Sequence, residues 1–526
     1  MNKTKYIALC ALALLSASCS KFLEETSQDT DYVRTWHDLD ELLIGDCYMS
    51  VYGTSSFTGS GNYGSGLHLI ADEVEEINSD GYTQDFDNHE REFGLYTWQQ
   101  RMGQNEAYTD FFTENRDWTK AYKCINVANN VLNSVTKLPQ QTDSDMRGAA
   151  KVTGEAHFLR AFYYFWLVNM YGQPYNPSTA QTDLGVPLKT SEEVLDIKYS
   201  RNSVQEVYDL VLADLTAAEK ELTTYGAKQK SIYRADSVAV QLLLSRVYLY
   251  MQNWEKAAEY ARKVISVRPE LEVLASAGNK FSRKSNPEMI FSMGGDDVPR
   301  MLYHAIKGLT VSQSLYNSYS GYDLRRRQWF WSYGLFHGLT KQPEGDRYTN
   351  IDRSDKSYYY YAYNEGRSGD QAPVSSLFLL RSAEAYANLA EAEAYMGNDD
   401  EARETLLTLM RARYEVGALE LNIGNLVGNS LIDFIREERR REFPLEGHRW
   451  FDLRRYRVCT VNPKKTSITH DYTYYESRNS TKITEVHRFT LGEEDASWTL
   501  PIPQEVINFN TGMPNNGNQW REYTVR

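Results

Sequence analysis

The chain has 526 residues and a formal net charge of −14, or about −16 once Lys3 and Lys5 leave with the N-terminal signal described next. That balance argues against a nucleic-acid partner, whose affinity rests on neutralised phosphates. Tyrosine (39) and tryptophan (10) are abundant, and tyrosine joins an apolar ring to a hydroxyl at low entropic cost, which binding surfaces exploit.

The N-terminus carries Lys3 and Lys5, an apolar stretch from Tyr6 to Leu15, then Ser16-Ala17-Ser18-Cys19. The apolar run is too short to span a bilayer, and small residues precede a cysteine. This predicts a lipoprotein signal over 1–18, cleaved before Cys19, whose sulfur and amine are then acylated. More than one acyl chain gives stable anchoring. Ser16 stands at −3, where such signals prefer Leu, so ordinary secretion is the alternative. No later segment reads as a membrane span. Cys47, Cys124 and Cys459 form no CxxC pair and read as small buried apolar side chains.

Most of the remaining pattern is helical. Ala121, Tyr122, Ile125, Ala128 and Leu132 place one buried stripe on a helix from Trp118 to Val135. Thr153 to Tyr171 is apolar nearly all round and stops at Gly172 with Pro174 behind it. Two later segments resemble each other. Tyr250-Met251-Gln252-Asn253 precedes Ala257, and Tyr395-Met396-Gly397-Asn398 precedes Ala402. Leu244, Ser245, Tyr248, Ala257, Ala261 and Pro269 fall where a tetratricopeptide-type hairpin needs them, and the copy over Leu379 to Arg413 keeps the spacing without the proline. About 150 residues separate the copies, too far for a continuous solenoid. The expected fold is therefore mostly α, a tetratricopeptide-like hairpin scaffold with long loop insertions.

The insertions are Gly53 to Trp98, Met293 to Gly369 (including Tyr358 to Tyr361) and Asn462 to Arg488, the last read as a hairpin. Loops of this length are usually functional or disordered, and their aromatic content argues against disorder. The expected organisation is a signal over 1–18 and one domain over 19–526. Its parts are an N-terminal helical part over about 19–290 with the insertion 53–98, a loop-rich insertion over about 293–369, and a C-terminal helical part over about 370–526.

Several runs carry a family resemblance: Cys19-Ser20-Lys21-Phe22-Leu23; Trp118, Tyr122, Ile125, Ala128 and Asn129; Phe158-Leu159-Arg160-Ala161-Phe162-Tyr163-Tyr164 through Gly172; and Arg381 through Ala394. Glu437-Glu438-Arg439-Arg440-Arg441-Glu442-Phe443, Glu446-Gly447-His448-Arg449-Trp450-Phe451-Asp452-Leu453-Arg454 and Pro501-Ile502-Pro503-Gln504-Glu505 complete the set. In these runs the chain resembles the SusD-like (RagB/SusD) outer-membrane nutrient-binding lipoproteins over nearly its whole mature length. The resemblance implies a SusD-like fold, a lid-like position on a SusC-like TonB-dependent transporter, and delivery of oligosaccharide to it. Some members of such a family handle peptides, so the cargo class is not fixed by it.

Glu446, His448, Arg449 and Asp452 could suggest a base with a carboxylate partner, but no nucleophile accompanies them. They read as charges that pair with each other and with backbone at a helix end. A neutral sugar offers C–H faces to aromatic rings and hydroxyl edges to polar groups, so the candidates are loop aromatics with polar neighbours. The first insertion offers Asp80, Tyr82, Arg91, Tyr96 and Trp98; the middle one offers Arg300, Tyr303, His304, Tyr322, Trp329 and Trp331. Of these, Asp80, Tyr82, Arg91, Trp98, Arg300, Tyr303, Tyr322 and Trp329 form the expected ligand arc.

A glycoside hydrolase needs two carboxylates about 5 to 10 Å apart across a cleft. The acidic run Ala71 to Glu76 reads more simply as a charged helix face, and Asp399-Asp400-Glu401 as acidic residues at a helix start. No HExxH, GxSxG, phosphate loop or metal-ligand spacing is present, so neither a metal nor another cofactor is expected. A peptide-binding or protein-interaction scaffold is the third reading. The aromatic loops favour sugar over it, since peptide grooves also use backbone edges and charge.

Overall fold

The computed structural model describes residues 33–48, 66–81, 86–105, 114, 116–193, 195–225, 231–277, 281–293, 309–333, 335–339, 374–375, 377–418, 423–478, 480–517 and 519–526. The predicted signal, Cys19 and the tyrosines 358–361 lie outside them.

The chain opens with α1 (Trp36–Leu42), which runs into a π-helical turn at Leu43–Cys47. After α2 (Gly66–Ile70), β1 (Val74–Glu76) and α3 (Phe86–Tyr96) come the long helices α4 (Arg116–Val135) and α5 (Asp143–Tyr171). The helix expected from Thr153 starts ten residues earlier. Thr142 and Asp145 close a reciprocal capping box, each side chain accepting the other's backbone N–H at 3.1 Å. From Val152 to Tyr171 every residue of α5 except Thr153 and His157 is buried, so its all-round apolar pattern is that of a central helix. Gly172 ends α5 with φ −90°, which any residue can adopt. Glycine is required there because a Cβ would lie 2.7 Å from the Val168 carbonyl oxygen. The orphan carbonyls at this buried helix end accept from two guanidiniums: Arg454 bonds the Asn169 and Gly172 oxygens, and Arg201 the Tyr171 oxygen.

Three helices follow, α6 (Val204–Tyr225), α7 (Ser237–Tyr250) and α8 (Trp254–Val267), and then a short α9 (Leu274–Ala277). The middle of the chain is built from β2 (Met289–Phe291), β3 (Leu309–Val311), α10 (Gln313–Asn317), α11 (Leu324–Gln328), β4 (Phe330–Tyr333) and β5 (Phe336–Leu339). Helices resume after β6 (Leu380–Arg381) with α12 (Ser382–Tyr395), α13 (Asp399–Arg411), α14 (Gly428–Glu442) and α15 (Arg449–Arg457). The third insertion forms the expected hairpin, β7 (Ile468–Tyr475) and β8 (Ile483–Leu491). After α16 (Gln504–Phe509), β9 (Tyr523–Val525) joins its edge in the order β7-β8-β9.

The fold is mostly α, as expected, but the two tetratricopeptide-like hairpins are not dispersed in space. Hairpin α7–α8 packs directly against hairpin α12–α13 through α8 and α12. The Ser245 hydroxyl donates to the Ala257 carbonyl and accepts from the Asn388 amide, and Tyr386 donates to the carbonyl of Pro269, the helix-stopping proline. The chain between the hairpins leaves and returns through a two-strand clasp, in which Met289 of β2 faces Arg381 of β6. The solenoid is thus continuous, with the middle insertion looped out of it.

The three cysteines are free and buried, as expected. The charged motif acts as a fastener. Arg325, Arg381 and Arg413, all fully buried, share Glu442: Arg381 Nη1 lies 2.6 Å, and Arg413 Nη2 2.8 Å, from Oε1, and Arg325 Nη1 2.9 Å from Oε2. Glu288, Asp323, Glu438 and Glu446 complete the lattice. Burial disfavours a charged Glu442, yet Arg413, Arg381 and Arg325 outweigh it and hold the carboxyl well below the usual range. Arg449 grips Asp72 at 2.7 and 2.8 Å, and Asp452 accepts from Arg439 and Arg455. The motif's charges are therefore paired, mostly with groups from distant elements. Removing one partner of such a lattice leaves an uncompensated buried charge, a cost of about 3–5 kcal/mol.

Candidate functional site

Three segments that lack helical periodicity meet on one face. In the first, the acidic run forms a turn and strand β1 rather than the expected helix face. Its reason is pairing: β1 lies antiparallel to β3, with Val74 opposite Val311 and Glu76 opposite Leu309. Strand β5 is tied on through Thr310, whose hydroxyl accepts the His337 N–H at 2.7 Å. The third segment docks from the other side. The Thr473 N–H donates to Glu76 at 2.7 Å, Asn78 donates to Asp471 at 2.8 Å, and the Ile483 N–H donates to Asp80 at 3.0 Å.

Two polar clusters result. On the β7–β8 side, His89 stacks on Tyr472 (centroids 3.8 Å, 15°) with Nε2 at 2.8 Å from Glu76. Burial opposes the charge of Asp471, but Arg488 and Arg526 bond it and hold its carboxyl below its ordinary value. On the α10 side, Glu75 accepts the Gln313 N–H at 3.1 Å. Burial, reinforced by Asp471, raises the Glu75 pKa above the ordinary carboxylate value. Tyr316, one turn on, stacks on His337 (3.8 Å, 10°), and the guanidinium carbon of Arg326 lies 4.9 Å from the Tyr316 ring centre. Ser332 contacts both rings' polar atoms, at 2.7 Å from His337 Nδ1 and 3.3 Å from the Tyr316 hydroxyl. Burial and then Arg326 hold the His337 pKa below its ordinary value, so the imidazole is neutral near pH 7.

The expected arc divides. Tyr82, Arg300, Tyr303 and His304 lie outside the described residues, as do the side chains of Arg91 and Trp331. Asp80 is exposed on this face and caps the β8 start. Tyr322 is 64% exposed, and its carbonyl accepts the N–H of Glu415, which pairs with the exposed Arg327. Trp98 and Trp329 have no exposed surface and are corrections to the expected arc. The Trp98 indole N–H donates to the Ile70 carbonyl at 3.0 Å, and its ring packs on His470 at 4.3 Å. Trp329 packs against Phe281 at 4.8 Å beneath Arg325 and Arg413. Tyr96, likewise, is buried against His470.

Sequence reasoning did not single out Glu75, Gln313, Tyr316, Arg326 or His337. Each sits on an element of three to five residues, too short to show a period. A cavity of about 30 Å³ between α5, α7 and the motif, lined by Phe162, Trp166, Arg246 and His448, has room for water and not for a sugar ring. Among the described residues no group of three or more His, Cys, Asp or Glu side chains is arranged to hold a metal ion. Among the same residues no helix is long and apolar enough to cross a membrane.

Two family models match the chain. Residues 65–249 match the one described as starch-binding associating with outer membrane, and residues 311–520 match the SusD family. The chain belongs to the SusD/RagB family. This is a carbohydrate-binding family associated with the outer membrane. Its members similar to this chain include SusD-like protein P38 of Formosa agariphila, 24% identical over 86% of this chain and 92% of that protein. SusD-like protein P2 of the same organism is 26% identical over 65% of this chain and 71% of its own. The fold matches a SusD-like carbohydrate binding protein of Bacteroides vulgatus (TM-score 0.65, 19% identity, 91% of this chain and 98% of that one). It also matches surface glycan-binding protein A of Bacteroides fluxus (TM-score 0.58, 18% identity, 92% and 100%).

Proposed function

We propose that this SusD-family protein is anchored by an acylated Cys19 to the outer membrane, faces outward, captures an oligosaccharide and delivers it uncleaved to a SusC-like TonB-dependent transporter. The observation that supports capture on one face is the convergence of the insertions. Strand pairing between β1 and β3, and the bonds of Glu76, Asn78 and Asp80 to the β7–β8 hairpin, join three otherwise irregular segments into one platform. Glu75, Gln313 and Arg326, with Asp80 and Tyr322 nearby in sequence to these elements, supply the polar edges and ring that a sugar requires. Tyr82, Arg91, Arg300 and Tyr303 remain proposed contributors. Glu446, Asp452 and His448 of the charged run are engaged by buried arginines, which supports a binding rather than a hydrolytic role.

The test uses mature protein from Glu24 onward in native affinity gels with neutral and acidic polysaccharides. Retardation by a glycan that is recovered uncleaved is expected. Folded protein that ignores every glycan, or that releases reducing sugar, would sink the reading. For the anchor, palmitate labelling of the full chain in its host is expected to vanish in Cys19→Ala; labelling that persists would place the lipid elsewhere.

A further inference from the structure

Asp323-Leu324-Arg325-Arg326-Arg327 puts three consecutive arginines on α11, and they meet three different environments. Arg325 is fully buried and pairs with Asp323, Glu438 and Glu442. Arg327 is exposed and pairs with Glu415 at 2.8 Å. Arg326, between them, is half-buried and has no carboxylate within ion-pair distance among the described residues. Its hydrogen bond is a long one, 3.4 Å to the Tyr319 carbonyl.

This guanidinium is nevertheless held. It lies over Tyr316, which stacks in turn on His337, and His337 is fixed by Ser332 and by the backbone bond to Thr310. The result is a cluster of imidazole, phenol and guanidinium beside the β4–β5 hairpin. With the imidazole stacked on it and the guanidinium carbon 4.9 Å from its ring centre, Tyr316 is less free to stack a sugar than the half-buried guanidinium is to take an anion. A planar fork that is already immobilised loses little entropy when it binds, and its geometry matches a two-oxygen anion. The neutral His337 beneath adds no second charge. Glu75, on the same face, is engaged by the Gln313 N–H and not by Arg326.

Resting on the glycan-capture reading, we propose that Arg326 selects an acidic saccharide, binding the carboxylate of a uronic acid or the sulfate ester of a sulfated sugar through its fork. The chain's net charge of −14 does not prevent this at physiological salt, where fields are screened beyond about 8 Å and the local fork decides. A charge-assisted bond pair of this kind corresponds to about tenfold in affinity or more.

The experiment compares polygalacturonate, dextran sulfate and a panel of neutral polysaccharides in affinity gels, with wild type, Arg326→Gln, Arg326→Lys and Arg327→Gln. Expected is retardation by one of the two anionic polymers, weakened about tenfold in Arg326→Gln and partly restored in Arg326→Lys, which keeps charge but not the fork. Which anionic polymer binds separates carboxylate from sulfate. Arg327→Gln is expected to behave as wild type; equal loss in both glutamine variants would mean diffuse charge attraction and overturn the proposal. Binding of neutral glycans alone, or unchanged binding by Arg326→Gln with an unaltered melting temperature, would overturn it while leaving the capture reading intact. Absence of retardation by any polymer would overturn both.

Discussion

Trp98 combines two features that seldom coincide: a fully buried indole and a backbone φ of +50°. The left-handed region costs a non-glycine residue about 1–2 kcal/mol. The indole offsets that through its hydrogen bond to the Ile70 carbonyl and its packing on His470. Trp98→Ala is accordingly expected to lower unfolding stability by about 3–5 kcal/mol in a denaturant titration, with glycan affinity of the folded protein unchanged. The opposite pattern, lost affinity at full stability, would restore Trp98 to the ligand arc. At this scale the sequence is ambiguous for a physical reason. A loop aromatic without periodic neighbours carries no sign of which way it faces, so Trp98 and Tyr322 look alike until the fold buries one and exposes the other.

The elements that were legible are those long enough to repeat. The buried stripe of α4 and the all-round apolar run of α5 follow from spacing, and so do the two hairpins with their shared Tyr-Met-x-Asn turn. Their third turn position explains the difference between the copies. Gly397 has φ +81° and Gln252 has φ +62°, the same left-handed link. Glycine adopts it freely. Gln252 is held there by its side chain, which donates to the Val458 carbonyl and accepts the Thr460 N–H at 2.8 Å. A Cβ at position 397 would meet nothing within 4 Å, so Gly397→Ala isolates the backbone cost. A loss of about 1–2 kcal/mol is expected from urea midpoints, and an unchanged midpoint would mean that the turn relaxes. Strand β1 was not legible: three residues show no alternation, and its partner β3 is more than two hundred positions away.

For the whole molecule, the buried charges set the response to acid. His448 is buried among Arg246, Arg439, Arg381 and Arg455, so burial first and these cations next push its pKa well below the ordinary histidine value. Folded His448 stays neutral while the unfolded chain takes up a proton below about pH 6.5, so stability falls as pH drops through that value. One such proton contributes a slope of about 1.4 kcal/mol per pH unit. Glu438 and Glu442 act in a lower window. Arginine partners outweigh burial and depress both carboxyls, so their contribution is complete above about pH 4.3 and is lost only as pH falls through their folded values. His448→Asn is expected to flatten the dependence of unfolding free energy between pH 6.5 and 5 by that slope. An identical slope in the variant would mean that His448 is charged in the folded protein.

The sequence by itself determined the mostly helical scaffold, the hairpin turns, the burial of Cys47, Cys124 and Cys459 and the SusD-family membership, because helical period, caps and a dense charged motif are local signals. It also pointed to the segments that carry the candidate site. What only the tertiary structure decided is which residues those segments turn outward. Tyr316, His337 and Arg326 become a stack, and Arg325 and Arg327 become paired, through contacts between short elements that have no period of their own. The hairpins likewise become one solenoid only when β2 and β6 clasp the looped-out insertion, a pairing between residues that local pattern cannot connect.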